Sequence, residues 1–359
     1  MPDVLLFGAT GYTGRLTAHT LARRNASFAI CGRDPAKLDQ LAESTGGPEV
    51  RVASAGDVDG ISSALEGVKV LITCVGPFVR LGAAAAEAAV RTGTHYIDST
   101  GEQAFVGRLI ESYDRPAKDK GIALAPCLGF DEVPADVAAT LATQGLERPD
   151  LVLTYALPSS GSMGTIRSAL DIVTRKGPWL EDGTQVMVRA GQETRWSPMP
   201  PPLGPRRAMA FPLAEGRLAP LHLDLRSLKL FITTGIGQRL GAQLALPALT
   251  PLLRSDVGYS LLNRLLSSGG GPSEERRARS KWTILAEARA DEAWRNVTIT
   301  GVDPYGLTAE FLTAGALRMC EADFDAAGVL APVQAVGLDN LEKAFADTGI
   351  TTETYEPKP

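Results

Sequence analysis

Along the first third of the chain, short apolar runs alternate with amphipathic stretches. Val4-Leu5-Leu6-Phe7 is a run of strand formers, and the alternation that ends near Ala22 predicts a helix. Strands are predicted again at residues 28–32, 50–53, 68–75, 95–98 and 122–126, with helices near residues 61–65 and 81–91. Nearly continuous apolar strands separated by helices imply a parallel sheet covered on both faces. The pattern then changes. Leu151 to Leu157 alternates as a strand, and residues 184–188, 282–288, 294–301 and 307–311 are read as further strands of a mixed or antiparallel sheet. Residues 166–174 and 332–346 are read as helices, and Glu274 to Arg279 as a solvated helix start. The fold class is therefore α/β. A doubly wound parallel sheet is expected over residues 1–130, an α+β domain over 131–312 and a C-terminal segment over 313–359.

The turn after the first strand adds chemistry to this pattern. Gly8-Ala9-Thr10-Gly11-Tyr12-Thr13-Gly14 joins a buried strand to a helix. In that context Gly8 permits the tight turn, Gly11 lets a diphosphate approach the backbone, and Gly14 lets helix and strand pack closely. The free N–H groups at the helix start then face the phosphates. A plain strand–turn–helix is the alternative, but it gives no reason for three glycines that cost helix stability. The sheet is thus of Rossmann type. Its second strand ends in Gly32-Arg33-Asp34-Pro35-Ala36-Lys37, where such folds select their cofactor. Asp34 before Pro35 reads as an N-cap, with proline at the first helical position. Arg33 is then available to the 2′-phosphate of NADP(H), with Lys37 adding charge; the alternative is a solvated surface arginine. Ligands of such sheets lie beyond the carboxyl ends of the strands. The expected cofactor-binding set is Gly8, Thr10, Gly11, Tyr12, Thr13, Gly14, Arg33, Lys37, Ser54, Ala55, Cys74, Val75, Gly76, Pro77 and Phe78. Pro77 and Phe78 are expected to press on the nicotinamide ring or its ribose.

A nicotinamide site needs a positioned acceptor and a proton source. The candidates are Glu102 and Asp131, from adjacent strand ends, and Tyr155 and Tyr305, expected from the second domain. Each has a structural alternative. Thr100-Gly101-Glu102-Gln103 fits a capping box, and Asp131, three residues before Pro134, fits an N-cap. Composition narrows the rest. The chain has 359 residues, 44% hydrophobic and 21% charged, with a net charge of −5. Mean hydropathy is +0.01 and the isoelectric point about 5.4. These values fit a globular protein and speak against a nucleic-acid partner. The four cysteines lie far apart and the three histidines are scattered, so no metal site or disulfide framework is expected. No basic leader opens the sequence, and a cytoplasmic address is expected. Residues 228–266 are unusually apolar yet interrupted by Lys229, Arg239, Pro247, Pro251 and Arg254, too short a run to span a bilayer. Core or dimer interface, a lid over a hydrophobic substrate channel, and a peripheral membrane contact are the three readings.

The glycine loop, the Gly32-Arg33 pair, Cys74-Val75-Gly76-Pro77-Phe78, Tyr96-Ile97-Asp98-Ser99-Thr100-Gly101-Glu102 and Gly129-Phe130-Asp131-Glu132-Val133-Pro134-Ala135-Asp136 occur in this order. Together they resemble the saccharopine dehydrogenase-like oxidoreductases, and most of all the branch with trans-acting enoyl reductases of polyketide and lipid synthesis. Further similarity appears in Gly164-Thr165, in Gly301-Val302-Asp303-Pro304-Tyr305 and in Gly328-Val329-Leu330-Ala331-Pro332. The resemblance implies NADP(H), an α+β second domain and a C-terminal segment returning to the first. It does not fix the substrate, because this group spans C–N and C=C chemistry. The leading expectation is an NADP(H)-dependent reductase acting on an activated C=C bond of an acyl or polyketide-like substrate, towards whose hydrophobic character the apolar residues 228–266 lean, with an acyl carrier or synthase as partner. A saccharopine-type C–N oxidoreductase on an amino-acid-like imine, with Arg167 and Arg175 as carboxylate ligands, and a non-enzymatic NADP-binding sensor are the alternatives.

Overall fold

The computed structural model describes residues 1–158, 168–169, 172–235, 250, 255 and 271–356. The chain divides into two compact units, Met1–Val133 with Asp303–Thr348, and Pro134–Val302 with Gly349–Pro359.

The first unit is built on strands β1 (Val4–Phe7), β2 (Phe28–Gly32), β3 (Glu49–Val52), β4 (Val70–Thr73), β5 (His95–Asp98), β6 (Ala123–Ala125) and β15 (Gly328–Val329). They form one parallel sheet in the order β15-β6-β5-β4-β1-β2-β3. The order turns outward in both directions from β1 and β4, the switch point at which doubly wound sheets bind dinucleotides. The crossovers contain helices α1 (Tyr12–Arg23), α2 (Pro35–Ser44), α3 (Val58–Ala64), α4 (Phe78–Thr92) and α5 (Gln103–Lys120). Helix α2 starts as the Asp-Pro signal predicts: the Asp34 carboxylate accepts the Lys37 N–H at 3.3 Å, with Pro35 in the first turn. The interior strands are buried on both faces, and α4 lays Ala85, Ala86, Ala88 and Ala89 against the sheet.

The second unit holds a sheet in the order β10-β11-β12-β7-β13-β14-β16. Its members are β7 (Asp150–Ala156), β10 (Thr194–Ser197), β11 (Arg206–Ala210), β12 (Ser227–Thr233), β13 (Trp282–Ala290), β14 (Ala293–Gly301) and β16 (Thr351–Tyr355), with β8 (Lys176–Glu181) and β9 (Thr184–Arg189) hairpinned onto β12. It is a mixed sheet: β12 runs parallel to β7, while β13 runs antiparallel to both β7 and β14.

Several expectations change. Residues 307–311, read as a strand, lie within a helix, α9 (Pro304–Cys320), which comes later in the chain than α6 (Glu132–Thr143), α7 (Glu215–Leu218) and α8 (Glu274–Ala278). Apolar residues surround nearly the whole of α9, so it shows no clean helical period. Its start repeats the signal at α2, with Pro304 in the first turn and the Asp303 carboxylate accepting the Gly306 N–H at 3.0 Å. The helix read over residues 332–346 is two, α10 (Pro332–Val336) and α11 (Leu338–Thr348), separated at Gly337, whose φ is 91°. The returning segment begins at Asp303 rather than 313, and residues after Thr348 leave the first unit, because β16 pairs with β14. Leu228, Leu230 and Phe231 of the apolar segment are buried in β12. The remainder of that segment from residue 236, the channel and membrane readings that fell on it, and Gly164, Thr165 and Arg167 lie outside the described residues, apart from positions 250 and 255.

Candidate functional site

Three glycines stand where β1 leads into α1, and they differ in what a side chain there would meet. Gly8 has φ +82°, and a Cβ there would stand 2.7 Å from Val75 Cγ2. Gly14 is the packing glycine: a Cβ would lie 2.2 Å from the Gly8 carbonyl oxygen and 2.9 Å from Ala9 Cα. Neither reason applies to Gly11. It is exposed, its φ of −70° and ψ of 170° suit any residue, and a Cβ would meet one atom, the Gly8 oxygen, at 3.2 Å. Among the described residues nothing else fills the space beside its backbone, as the close approach of a diphosphate requires. The loop residues Thr10, Tyr12 and Thr13 are half-buried. Tyr12 is held edge-on by Tyr305, ring centres 5.0 Å apart. Tyr305 belongs to the first unit rather than to the second, from which it was expected, and it supports the glycine loop.

At the end of β2, Arg33 is exposed and no ion pair among the described residues engages it. Lys37 is drawn to Asp34, with 3.2 Å between Nζ and the carboxylate. The Lys37 amide and ammonium together hold the Asp34 carboxyl below the usual range. Asp34 is thus committed to its helix, and Arg33 is the open cation at the position that selects between NAD and NADP. Ser54, exposed, and Ala55, half-buried, follow β3 on the neighbouring strand end.

The segment leaving β4 departs from expectation in one respect. Cys74 and Val75 are half-buried and Gly76 is exposed, so these three can border a ligand. Phe78 cannot present its ring: it is 5% exposed and packs on Phe105, with centroids 5.8 Å apart. Pro77 is buried as well. What Phe78 does offer is its N–H, which donates to Glu102 Oε1 at 3.0 Å, while the Val79 N–H donates to Oε2 at 2.8 Å. Glu102 is 1% exposed. The anticipated capping box is accordingly rearranged: Glu102 itself stands at the N-cap of α5, and its N–H donates to Thr100 Oγ1 at 3.0 Å. Beneath it lies Asp98, fully buried, accepting from Tyr96 Oη at 2.6 Å, Thr100 N–H at 2.8 Å and Cys127 N–H at 3.1 Å. Burial pushes its carboxyl up to about 7, against the pull of those three donors. Burial likewise raises the Cys74 thiol to about 12, which leaves it no thiolate character.

The remaining acid, Asp131, is half-buried just before α6, with its carboxylate beside Gly129. Tyr155 is 0% exposed in the middle of the second sheet, in register with Ile232 and Ile284. A phenol so enclosed is a core side chain, not one open to substrate. Sequence reasoning missed a pair in the second unit, His222 Nε2 and the buried Asp136 carboxylate, 2.7 Å apart. No spacing rule links positions so far apart in the chain. Among the described residues no group of three or more His, Cys, Asp or Glu could hold a metal ion, and no helix is long and apolar enough to cross a membrane.

Comparison with known proteins bears on the fold and the cofactor. Residues 4–124 match the family model of the saccharopine dehydrogenase NADP-binding domain. A trans-acting enoyl reductase of Mycobacterium ulcerans is 33% identical over 185 residues, 47% of this chain and 44% of that protein. This alignment thus spans less than half of the relative's length. A trans-acting enoyl reductase of Mycobacterium leprae is 27% identical over 414 aligned positions, covering 97% of both chains. Among solved structures, apo saccharopine dehydrogenase (L-Glu forming) from Saccharomyces cerevisiae aligns over 100% of both chains, with TM-score 0.62 and 15% identity, a likeness of fold. The cofactor is NADP(H).

Proposed function

We propose that this chain, a member of the saccharopine dehydrogenase-like oxidoreductases, is an NADPH-dependent reductase of an activated C=C bond in a hydrophobic acyl or polyketide-like substrate. The observation that carries the reading is Gly11, a glycine that neither backbone conformation nor packing demands and that a cofactor diphosphate does. Alignment with an enoyl reductase along nearly the whole chain supports the choice of reaction, and the apolar composition of residues 228–266 supports the choice of substrate.

Gly8, Gly11 and Gly14 with the start of α1 would hold the diphosphate, Arg33 the 2′-phosphate, and Cys74, Val75 and Gly76 would border the nicotinamide half. The cofactor supplies a hydride when bound. The protein's part is to hold the acceptor against that face, keep water out and deliver one proton to the carbon next to the activating carbonyl. Asp131 is the acid assigned to that proton, since Glu102 is occupied by backbone amides and Tyr155 is enclosed. An acyl carrier or synthase domain would present the chain.

The test is NADPH oxidation on a homologous series of enoyl thioesters, with the saturated product identified by mass. Each buried methylene is worth about 0.8 kcal/mol, so affinity should rise about fourfold per carbon until the channel is full. Turnover of an amino-acid-like imine with a flat acyl series would replace this reading by C–N chemistry. NADPH binding with no turnover of either class would leave a sensor.

A further inference from the structure

Helix α4 begins at Phe78 with no side-chain cap from Pro77, the residue before it. The first N–H groups of any helix lack partners within it. Here the two that open the helix are satisfied from 24 and 23 residues further along the chain, both by Glu102. Each carboxylate oxygen takes one amide, and the positive end of the helix dipole lies against the buried negative charge. The same residue is fixed from the other side. Its N–H is held by Thr100, whose own N–H is held by Asp98 at the end of β5. A chain of hydrogen bonds therefore runs from the end of β5 through Thr100 and Glu102 to the first residues of α4, and so anchors Cys74, Val75 and Gly76 just before it.

We infer that Glu102 is a positioning residue for the nicotinamide half of the cofactor: it holds the segment leaving β4 at the height that half needs and exchanges no proton itself. The inference rests on the reductase reading above. A side chain 1% exposed, with both oxygens engaged, has no free edge to offer a substrate. The residue type follows from the geometry. Two amides need two acceptor oxygens on one side chain. Glutamine would turn an NH2 group toward one of them, and alanine would leave both without a partner.

The experiment uses the full chain with Glu102→Ala and Glu102→Gln, and two ligands, NADPH and 2′,5′-ADP. The second carries the adenosine half alone and reads the glycine loop and Arg33. Glu102→Ala should weaken NADPH about tenfold or more, the worth of a hydrogen bond to a charged group, and leave 2′,5′-ADP unchanged. Glu102→Gln, which keeps one acceptor, should fall between, lower kcat more than it changes the substrate KM, and keep the pH profile of kcat/KM. In the cofactor-free protein, amide exchange at Phe78 and Val79 should quicken in both variants. A merely structural role would weaken both ligands together, and that result overturns the inference. So does unchanged NADPH affinity, or a glutamine variant whose profile loses its acidic or basic limb. A wild-type protein that binds 2′,5′-ADP but not NADPH would instead overturn the reductase reading, whatever the variants do to amide exchange.

Discussion

Replacing each loop glycine by alanine in turn separates what the fold needs from what the cofactor needs. At Gly14 the new methyl would sit 2.2 Å from the Gly8 oxygen and 2.9 Å from Ala9 Cα, both backbone atoms that cannot swing aside. Overpacking of that kind costs about 1–3 kcal/mol, and here the upper end is expected. At Gly8 an alanine must adopt φ +82°, at about 1–2 kcal/mol, and also displace Val75, whose Cγ2 lies 2.7 Å away. Gly11 differs from both. Its backbone is extended, and the single contact at 3.2 Å asks a shift of a few tenths of an ångström. Against that stands the about 0.4–1 kcal/mol gained when a glycine is removed from the unfolded chain. Stability should therefore stay within about 0.5 kcal/mol of wild type, the range of neutral surface changes. Affinity for NADPH should not. The methyl occupies the face that a diphosphate must approach, and each charged hydrogen bond lost is worth about 1.5–3 kcal/mol, or roughly ten- to hundredfold in affinity. Gly11→Val should lose binding altogether while remaining folded. Urea denaturation followed by circular dichroism reads the first quantity, and NADPH fluorescence titration the second. If Gly11→Ala unfolds as readily as Gly14→Ala, or if Gly11→Val binds NADPH like wild type, the assignment of Gly11 to the cofactor is wrong.

Arg33→Ala should weaken NADPH roughly ten- to hundredfold, leave NADH unchanged and so close the gap between them; a wild-type protein with equal affinity for both would refute the role of Arg33. The Asp98 carboxyl, raised by burial from an unfolded value of 3.8 to about 7, binds its proton more tightly when folded, so stability should fall as pH rises between those values and level off above them. The slope should reach at most about 1.4 kcal/mol per pH unit. Asp98→Asn keeps an acceptor oxygen for Thr100 and Cys127 and can donate to Tyr96, so its denaturation midpoint should be flat across that window; a mutant as pH-dependent as wild type would clear Asp98 of the effect. Asp131→Asn should lower kcat for an enoyl substrate with NADPH affinity intact, and unchanged turnover would remove it as the proton source.

What could be read from the sequence was whatever is local. A buried run, a glycine turn and an amphipathic stretch within 20 residues identify a strand, a phosphate loop and a helix. Asp34-Pro35 marks a helix start within two residues. Strand–helix alternation and the Arg33 turn give the parallel sheet and the expectation of NADP(H), although the strands themselves pair across long separations, as Val4 does with Val70. Helix α9 shows where periodicity stops helping: a helix buried nearly all round has no polar face, and the strand reading passes over the signal it does carry, the Asp303-Pro304 start. Strand β16 is exposed at every residue, so no apolar alternation marks it, and only its pairing with β14 makes it a strand. The roles of single side chains were decided by tertiary structure for the same reason. Glu102 meets Phe78 and Val79 across 24 and 23 positions, Tyr305 meets Tyr12, and Asp136 meets His222. Residue type limits a carboxylate to acid, cap or ion-pair partner. Which of these it becomes depends on the donors that folding brings within about 3 Å of its oxygens, and those come from segments that sequence spacing does not relate.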